Sequence, residues 1–396
     1  MNKAASKTGV TATSDGRPYS VAIVCSGLGR VYRGYEASTL QLYQHIKDRG
    51  DFRLYAGGDD VDHGGHTLFN FARDSSWWRF VPKRLVAYDA RYSYECRSAA
   101  ISLFFALLRN PVDIVFTPDH LIAQTVAAYA KWLPKSPKLV FSNGGPFPYD
   151  YYKRYDFVHQ KSFADYNISQ AAPPSKTHNY LIANGFDGAL LAPPANVDKA
   201  ALRRARGLPV DKTLVLCLAA LHMTHKRGDW LAKEIAQLPA DDFHLVLAGA
   251  PTGETAALEA LCQSVLPEGN FTLLTEPPET VPELLWAADV MAIASLSEGF
   301  GRAIAEAMAA QCPLLVHPHE NARWVVENED SYVDMTKEGE LADRLAQWSR
   351  NPALPQAVAM DNYQRFHREY DWPEVLQRYL DMFADVVAHE GDDPKG

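Results

Sequence analysis

One stretch constrains this chain more than any other. Between Asp289 and Ser295 lies a short apolar run, which reads as a buried strand. Directly after it come Ser297-Glu298-Gly299-Phe300-Gly301-Arg302, and then a helical pattern through Ala303, Ile304, Ala305, Glu306, Ala307 and Met308. Two carboxylates therefore stand eight positions apart, one on a glycine-flanked turn and one on the helix which that turn opens. A helix N-terminus presents free N–H groups and a partial positive charge, which suits a phosphate. Ionised carboxylates accept hydrogen bonds and donate none, which suits neutral hydroxyls. Glycines at the turn let a ligand approach the backbone closely. The competing reading is an ordinary amphipathic helix with glutamates on its surface. Phosphate and polyol together describe a sugar nucleotide.

The length of 396 residues suggests two domains or slightly more, at roughly 150 residues each. The apolar fraction, 47%, is that of a soluble globular protein with a large core. A net charge of −9 argues against nucleic acid as a partner, because phosphate backbones need a basic face. No basic start precedes an apolar run at the N-terminus, and no apolar stretch is long enough to span a bilayer. The longest, Ala99 to Leu108, reads as a core helix. Cys25, Cys96, Cys217, Cys262 and Cys312 are scattered without C-x-x-C spacing, which fits reduced thiols. The expected location is the cytoplasm.

Two successive strand–helix alternations run along the chain. Strands are expected at Val21 to Cys25, Asp113 to Thr117, Leu139 to Ser142, Tyr166 to Ser169 and Leu190 to Ala192. Helices are expected at Glu36 to Asp48 and from Leu121 through Trp132. After Pro193-Pro194 the second series has strands at Leu214 to Leu218, His244 to Ala248, near Val290 and at Leu314 to Val316. Its helices are Asp229 to Leu238, Ala256 to Val265 and Val281 to Ala287. Such alternation implies α/β architecture with parallel sheets. The expected division is a polar tail over 1–18, a first domain over 19–195, a second over 196–365, a final helix over 366–389 and a polar tail over 390–396. The Pro-Pro pair stops regular structure at the join.

The run from Ser297 to Met308 resembles the E-x7-E signature of retaining glycosyltransferases with the GT-B fold, especially glycosyltransferase family 4. The resemblance covers nearly the whole chain. It is strongest from Pro194 to Val326, moderate near Gly34-Tyr35-Glu36 and Tyr370 to Tyr379, and weakest between Gly57 and Asn110. It implies two doubly wound Rossmann-like domains facing across a cleft, with the C-terminal helix crossing back to the first. It also implies metal-independent transfer of a sugar from a uridine- or guanosine-diphosphate donor to an acceptor hydroxyl, with retention. The donor would bind the second domain. A small-molecule, glycan or lipid-linked acceptor would bind the first. A sugar-nucleotide epimerase or phosphorylase of the same architecture, or a non-catalytic scaffold, are the rival readings, and the oligomeric state is left open.

By this resemblance Glu306 holds the ribose hydroxyls and Glu298 the hydroxyls of the transferred sugar. The amides around Gly299, Phe300 and Gly301 meet the sugar or diphosphate, and Thr275 lies near the base. In Leu221-His222-Met223-Thr224-His225-Lys226-Arg227, Lys226 matches a lysine facing the diphosphate. Leu221 stands where relatives carry an arginine, so Arg227 or His222 is left to supply that charge. One positioned cation at a leaving oxyanion is worth roughly 3–4 kcal/mol; a solvated basic turn is the plainer alternative.

In the first domain, Ser26 to Glu36 resembles the family's glycine-rich loop, with Gly29 beside the diphosphate and Arg30 and Arg33 free for phosphate, acceptor or solvent. Tyr32 replaces the third glycine of a dinucleotide fingerprint, which weakens a nicotinamide reading. Asn143, before Gly144-Gly145, takes the place of a family histidine near the reacting carbon and would orient a hydroxyl. The expected catalytic set is thus Glu298, Lys226 and Asn143. His120 is the substitute for Asn143, or simply a polar residue at a helix start. Asp60-Val61-Asp62-His63 contains an Asp-x-Asp but reads as a surface loop, so no metal site is expected. Ser75 to Arg84, with Trp78, mixes aromatics and cations. It is open to three readings: packing under a loop, an apolar acceptor pocket, or a peripheral contact at the inner face of a membrane.

Overall fold

Apolar residues run end to end along the strand segments instead of alternating, so both faces of each sheet must be covered. The computed structural model describes residues 18–30, 34–58, 64–81, 88–171 and 176–389. The chain divides into two compact units, residues 1–185 with 375–396, and residues 186–374.

The first unit is built on seven strands: β1 (Ser20–Cys25), β2 (Asp51–Ala56), β3 (His66–Thr67), β4 (Ile114–Thr117), β5 (Lys138–Asn143), β6 (Phe157–Gln160) and β7 (His178–Leu181). Their order is β3-β2-β1-β4-β5-β6-β7, and every neighbouring pair is parallel. The chain winds outward in both directions from the β1–β4 junction. The helix Tyr88–Arg109 covers one face with Cys96, Ala99, Ala100, Leu103 and Leu107, all buried. On the C-terminal helix, Phe383 packs 5.9 Å from Phe52 and 5.5 Å from Phe116.

The second unit has five parallel strands: β8 (Thr213–Leu218), β9 (Phe243–Ala248), β10 (Phe271–Leu274), β11 (Val290–Ile293) and β12 (Leu314–Val316). Their order is β10-β9-β8-β11-β12, so the switch point falls between β8 and β11. Its central strands are filled by Val215, Leu216, Leu245, Leu247 and Ala292, all buried.

Several expectations change. Tyr166 to Ser169 lies in a helix, Phe163–Gln170, because Ser162 caps it by accepting the Asp165 N–H at 3.1 Å. Leu190 to Ala192 is likewise not a strand. Gly188–Leu191 is a helical turn capped by the Asp187 carboxylate on the Ala189 and Leu190 amides. The second unit begins at Phe186, ahead of the Pro-Pro pair. The Phe186 N–H donates to the Tyr370 carbonyl at 2.9 Å, and its own carbonyl accepts the Trp372 N–H at 3.0 Å. The single final helix expected from residue 366 is two helices, Ala353–Glu369 and Trp372–Ala388. They break where the Asp371 carboxylate accepts the amides of Trp372 and Gly188. From Val375 onward the last helix belongs to the first unit. The expected tails, Arg33, and the Asp60-Val61-Asp62-His63 stretch lie outside the described residues, except Pro18.

His159 on β6 is fully buried, with its Nδ1 2.9 Å from the Ser142 hydroxyl and its Nε2 2.9 Å from the Ile182 carbonyl. The carbonyl accepts, so Nε2 carries the hydrogen and Nδ1 accepts from Ser142. Burial holds the imidazole down to about 3, against an ordinary 6.5. The neutral ring therefore stabilises the fold fully above pH 6.5, and that contribution is lost as pH falls toward 3. It amounts to on the order of 4 kcal/mol. We expect stability to fall between pH 7 and pH 4 in denaturant titrations, and His159→Asn to flatten that fall. An unchanged slope in the variant would remove His159 as its source.

Candidate active site

A switch point leaves two neighbouring loops diverging from one edge of a parallel sheet, which makes a crevice for ligand. In the second unit those loops follow β8 and β11. The first carries Lys226 and the second carries Glu298. The Lys226 Nζ donates to Glu298 Oε1 at 2.5 Å, and both side chains are mostly covered. The Asn321 side-chain amide donates to the Glu298 carbonyl at 2.6 Å and so fixes the turn itself.

The turn ends at Gly301, which adopts φ +76° and caps the helix Arg302–Ala309. A Cβ there would lie 2.9 Å from Ile304, so both torsion and space require glycine. Among the described residues no acceptor meets the N–H groups of Gly299, Phe300, Gly301, Arg302 or Ala303. Those amides are open to an anion. The Phe300 side chain points elsewhere. It is buried, stacked 5.7 Å from Phe186 and edge-on to Trp324 and Tyr370, and it anchors the turn from behind.

One helical turn on, Glu306 is half-buried, with Arg302 Nη2 3.5 Å from its carboxylate. Burial pushes the Glu306 carboxyl up and Arg302 pulls it back. Arg302 also lies over the Phe186 ring at 4.7 Å, which holds its charge near the helix start. Thr275 follows β10 at the same sheet edge. It is exposed, and its hydroxyl donates to the Gly249 carbonyl at 3.2 Å.

The loop after β8 is clamped by Glu254. That carboxylate accepts the Met223 and Thr224 amides at 2.7 and 3.0 Å and the Thr224 hydroxyl at 2.8 Å. These bonds hold it down to about 2. Leu221 is buried in the core, so no cation stands at that position. Of the two proposed substitutes, Arg227 is engaged inside the unit. Arg227 sits at φ +54° and its guanidinium donates to the carbonyls of Met335 (2.7 Å) and Ala294 (3.3 Å), tying the end of β11 to the loop at Met335. His222 Nδ1 faces Glu254 at 3.7 Å.

Three groups here escaped the sequence reading. His319, after β12, accepts the Ala322 N–H on Nδ1 at 3.2 Å, so its hydrogen sits on Nε2. Burial lowers its pKa, and Glu298 opposes that shift. Ser295 follows β11 with a buried hydroxyl that has no hydrogen-bond partner among the described residues. Glu254 is the third. Only the His317-Pro318-His319 run after an apolar strand offered any signal of its own.

In the first unit the residues gather at the β1–β4 switch point, and many are already engaged. Gly29 takes φ +83° in the turn after β1. Arg30 donates to Asn70 Oδ1 at 3.0 Å. Asn143 is buried and saturated. Its amide donates to Tyr152 (2.9 Å) and Gln160 (2.8 Å), and its oxygen accepts the Gly145 N–H (3.1 Å). It shapes the glycine loop and does not face a hydroxyl from outside the protein. Trp78 is also buried, donating to the Ala72 carbonyl at 2.7 Å, so it packs under its loop and does not line an open pocket. His120 starts the helix His120–Tyr129 and is half-buried, ringed by Tyr92, Phe147 and Tyr151 at 5.5 to 6.0 Å. Burial keeps it neutral by lowering its pKa. Behind it lie Asp119, Glu36 and an Arg73–Glu95 ion pair of 2.6 Å, all buried.

Known proteins resemble this chain in sequence and in fold. Residues 198–365 match the family model described as Glycosyl transferases group 1. A D-inositol 3-phosphate glycosyltransferase of Xylanimonas cellulosilytica is 29% identical over 222 residues, 52% of this chain and 51% of that protein. The chain thus spans about half the length of such relatives. Among solved structures, HepE of Anabaena in complex with UDP and glucose is similar with a TM-score of 0.71 at 17% identity, covering 93% of this chain and 100% of that one. Sucrose-phosphate synthase of Thermosynechococcus elongatus gives 0.75 at 15% identity over 93% and 99%. The fold, two parallel α/β sheets with interleaved helices, is that of the GT-B glycosyltransferases. Over residues 198–365 the chain is similar to the glycosyl transferases group 1 family.

Proposed function

We propose that this protein is a retaining glycosyltransferase of family 4 type that takes a nucleoside-diphosphate sugar, uridine diphosphate first, and passes the sugar to an acceptor hydroxyl. The observation that carries this reading is the Lys226–Glu298 pair beside five unbonded amides at the β8–β11 switch point. Lys226 and those amides take the diphosphate. Glu298 accepts from sugar hydroxyls once Lys226 turns to phosphate. Glu306, partly shielded and beside Arg302, accepts from the ribose hydroxyls. The uridine preference rests on the neighbour solved with UDP, and the transferase names of the relatives favour transfer over epimerisation.

In the transfer, the acceptor oxygen bonds to the anomeric carbon on the face that the diphosphate leaves. The departing phosphate oxygen receives the acceptor proton, and the nucleoside diphosphate is released. Each group that meets growing negative charge is a fixed cation or amide, which is where such sites gain most rate. His120, neutral and at the first unit's switch point, replaces Asn143 as the group that orients the acceptor hydroxyl. No divalent ion enters this scheme.

Uridine diphosphate is expected to raise the melting temperature, because a ligand bound only by the folded state stabilises by mass action. Glu306→Ala should abolish most of that rise while the melting temperature of the free protein stays within a few degrees. Lys226→Ala should cut turnover by roughly a hundredfold or more, the scale of one lost oxyanion contact. A full shift in Glu306→Ala, or turnover stopped by EDTA, would contradict the scheme.

Glu254→Ala tests the clamp. The wild-type carboxylate is anionic far below neutrality, so its hold on the loop is complete above about pH 4.5 and is lost as pH falls toward 2. Removing it should weaken donor binding severalfold at neutral pH through a loosened Lys226 loop. Unchanged affinity would show that the loop needs no clamp.

A further inference from the structure

Among the described residues of the first unit, most of the exposed large apolar side chains gather on one face. The helix Tyr88–Arg109 buries one stripe in the core. Another stripe carries Tyr94, Ile101, Phe105 and Leu108, which are 45, 56, 52 and 40% exposed. With Arg97 they recur at i, i+3, i+7, i+11 and i+14, a single line along a helix. The preceding loop is tied alongside. Phe69 donates its N–H to Ser102 Oγ at 3.1 Å, and Phe71 donates to Ser98 Oγ at 2.9 Å. Phe69 and Phe71, 68 and 43% exposed, therefore flank the same helix, and Phe80 further along the loop is 80% exposed.

Arginines outnumber acids on this face. Arg79, Arg97 and Arg109 are exposed, and no carboxylate pairs with them among the described residues. Arg79 lies over the Phe80 ring at 5.2 Å. Of the nearby acids, Asp74 is exposed and Glu95 is buried against Arg73. The chain as a whole carries −9, so an unpaired cationic rim around aromatics runs against its average. No described helix is long and apolar enough to cross a membrane.

We infer that this face docks on an anionic phospholipid bilayer, with the Phe and Ile side chains entering the headgroup boundary and the arginines meeting lipid phosphates. A twofold contact with a second copy fits less well, because it sets the same unpaired arginines against each other. Arg79 and Phe80 come from the stretch Ser75 to Arg84, and Tyr94, Ile101, Phe105, Leu108, Phe69 and Phe71 extend the surface beyond it, while Trp78 is turned inward. The inference goes beyond the transfer reading and does not depend on it.

The test is co-sedimentation of the full chain with vesicles of phosphatidylcholine alone and of phosphatidylcholine mixed with phosphatidylglycerol. Binding to the mixed vesicles alone is expected. Arg97→Glu should weaken it by roughly fivefold or more, since one basic residue near an anionic surface is worth about 1 kcal/mol. The pair Ile101→Asp with Phe105→Asp should weaken it by about tenfold or more. All variants should keep the wild-type melting temperature and its rise with uridine diphosphate. A chain that stays in the supernatant with both vesicles, variants that sediment as wild type does, or a dimer in light scattering that the same variants dissolve without any vesicle binding would overturn the proposal. Vesicle binding without a uridine diphosphate shift would sink the donor reading alone.

Discussion

A lysine ammonium and a glutamate carboxylate, 2.5 Å apart, hold together the two loops that leave the second sheet at its switch point. Everything proposed for that unit depends on this pairing. It shows that the loop after β8 reaches the turn after β11, which strand order alone permits but does not require. It also leaves the cation and the acid next to the open amides of Gly299 to Ala303 without occupying those amides. A ligand that brings phosphate for the lysine and hydroxyls for the acid exchanges one internal contact for two external ones.

The two units treat their polar groups differently. In the second, the turn is braced from behind by Phe300 and Asn321, the neighbouring loop by Glu254, and the end of β11 by Arg227. Bracing of this kind leaves the front of the site available, which is what preorganisation requires. In the first, Asn143 and the Arg73–Glu95 pair are satisfied inside the unit. His120 stands at the boundary of that network, held by rings more than by hydrogen bonds.

The pattern of the sequence revealed the parts that rest on local chemistry. The strand, turn and helix start that carry Glu298, Glu306 and the glycines were legible because they are contiguous. The family resemblance pointed to Lys226, which pairs with Glu298. What failed depended on contacts distant in sequence. Arg227 looked like a diphosphate ligand until Met335, 108 positions away, took its guanidinium. Asn143 looked free until Tyr152 and Gln160 were placed beside it. Leu221 could not be told from a loop residue, since only the folded core shows where it points. Short strands such as β6 and β7 were missed because His159, Gln160, His178 and Asn179 dilute their apolar pattern. Two helices were taken for strands although Ser162 and Asp187 carried capping signals.

The central claim is that the amides opening the helix Arg302–Ala309, together with the Lys226 loop, receive a nucleoside diphosphate. Hydrogen–deuterium exchange with and without uridine diphosphate tests it most directly. The account predicts slowed exchange in peptides covering Gly299 to Ala303 and Met223 to Arg227. Protection confined to other segments, or none at all, would contradict it.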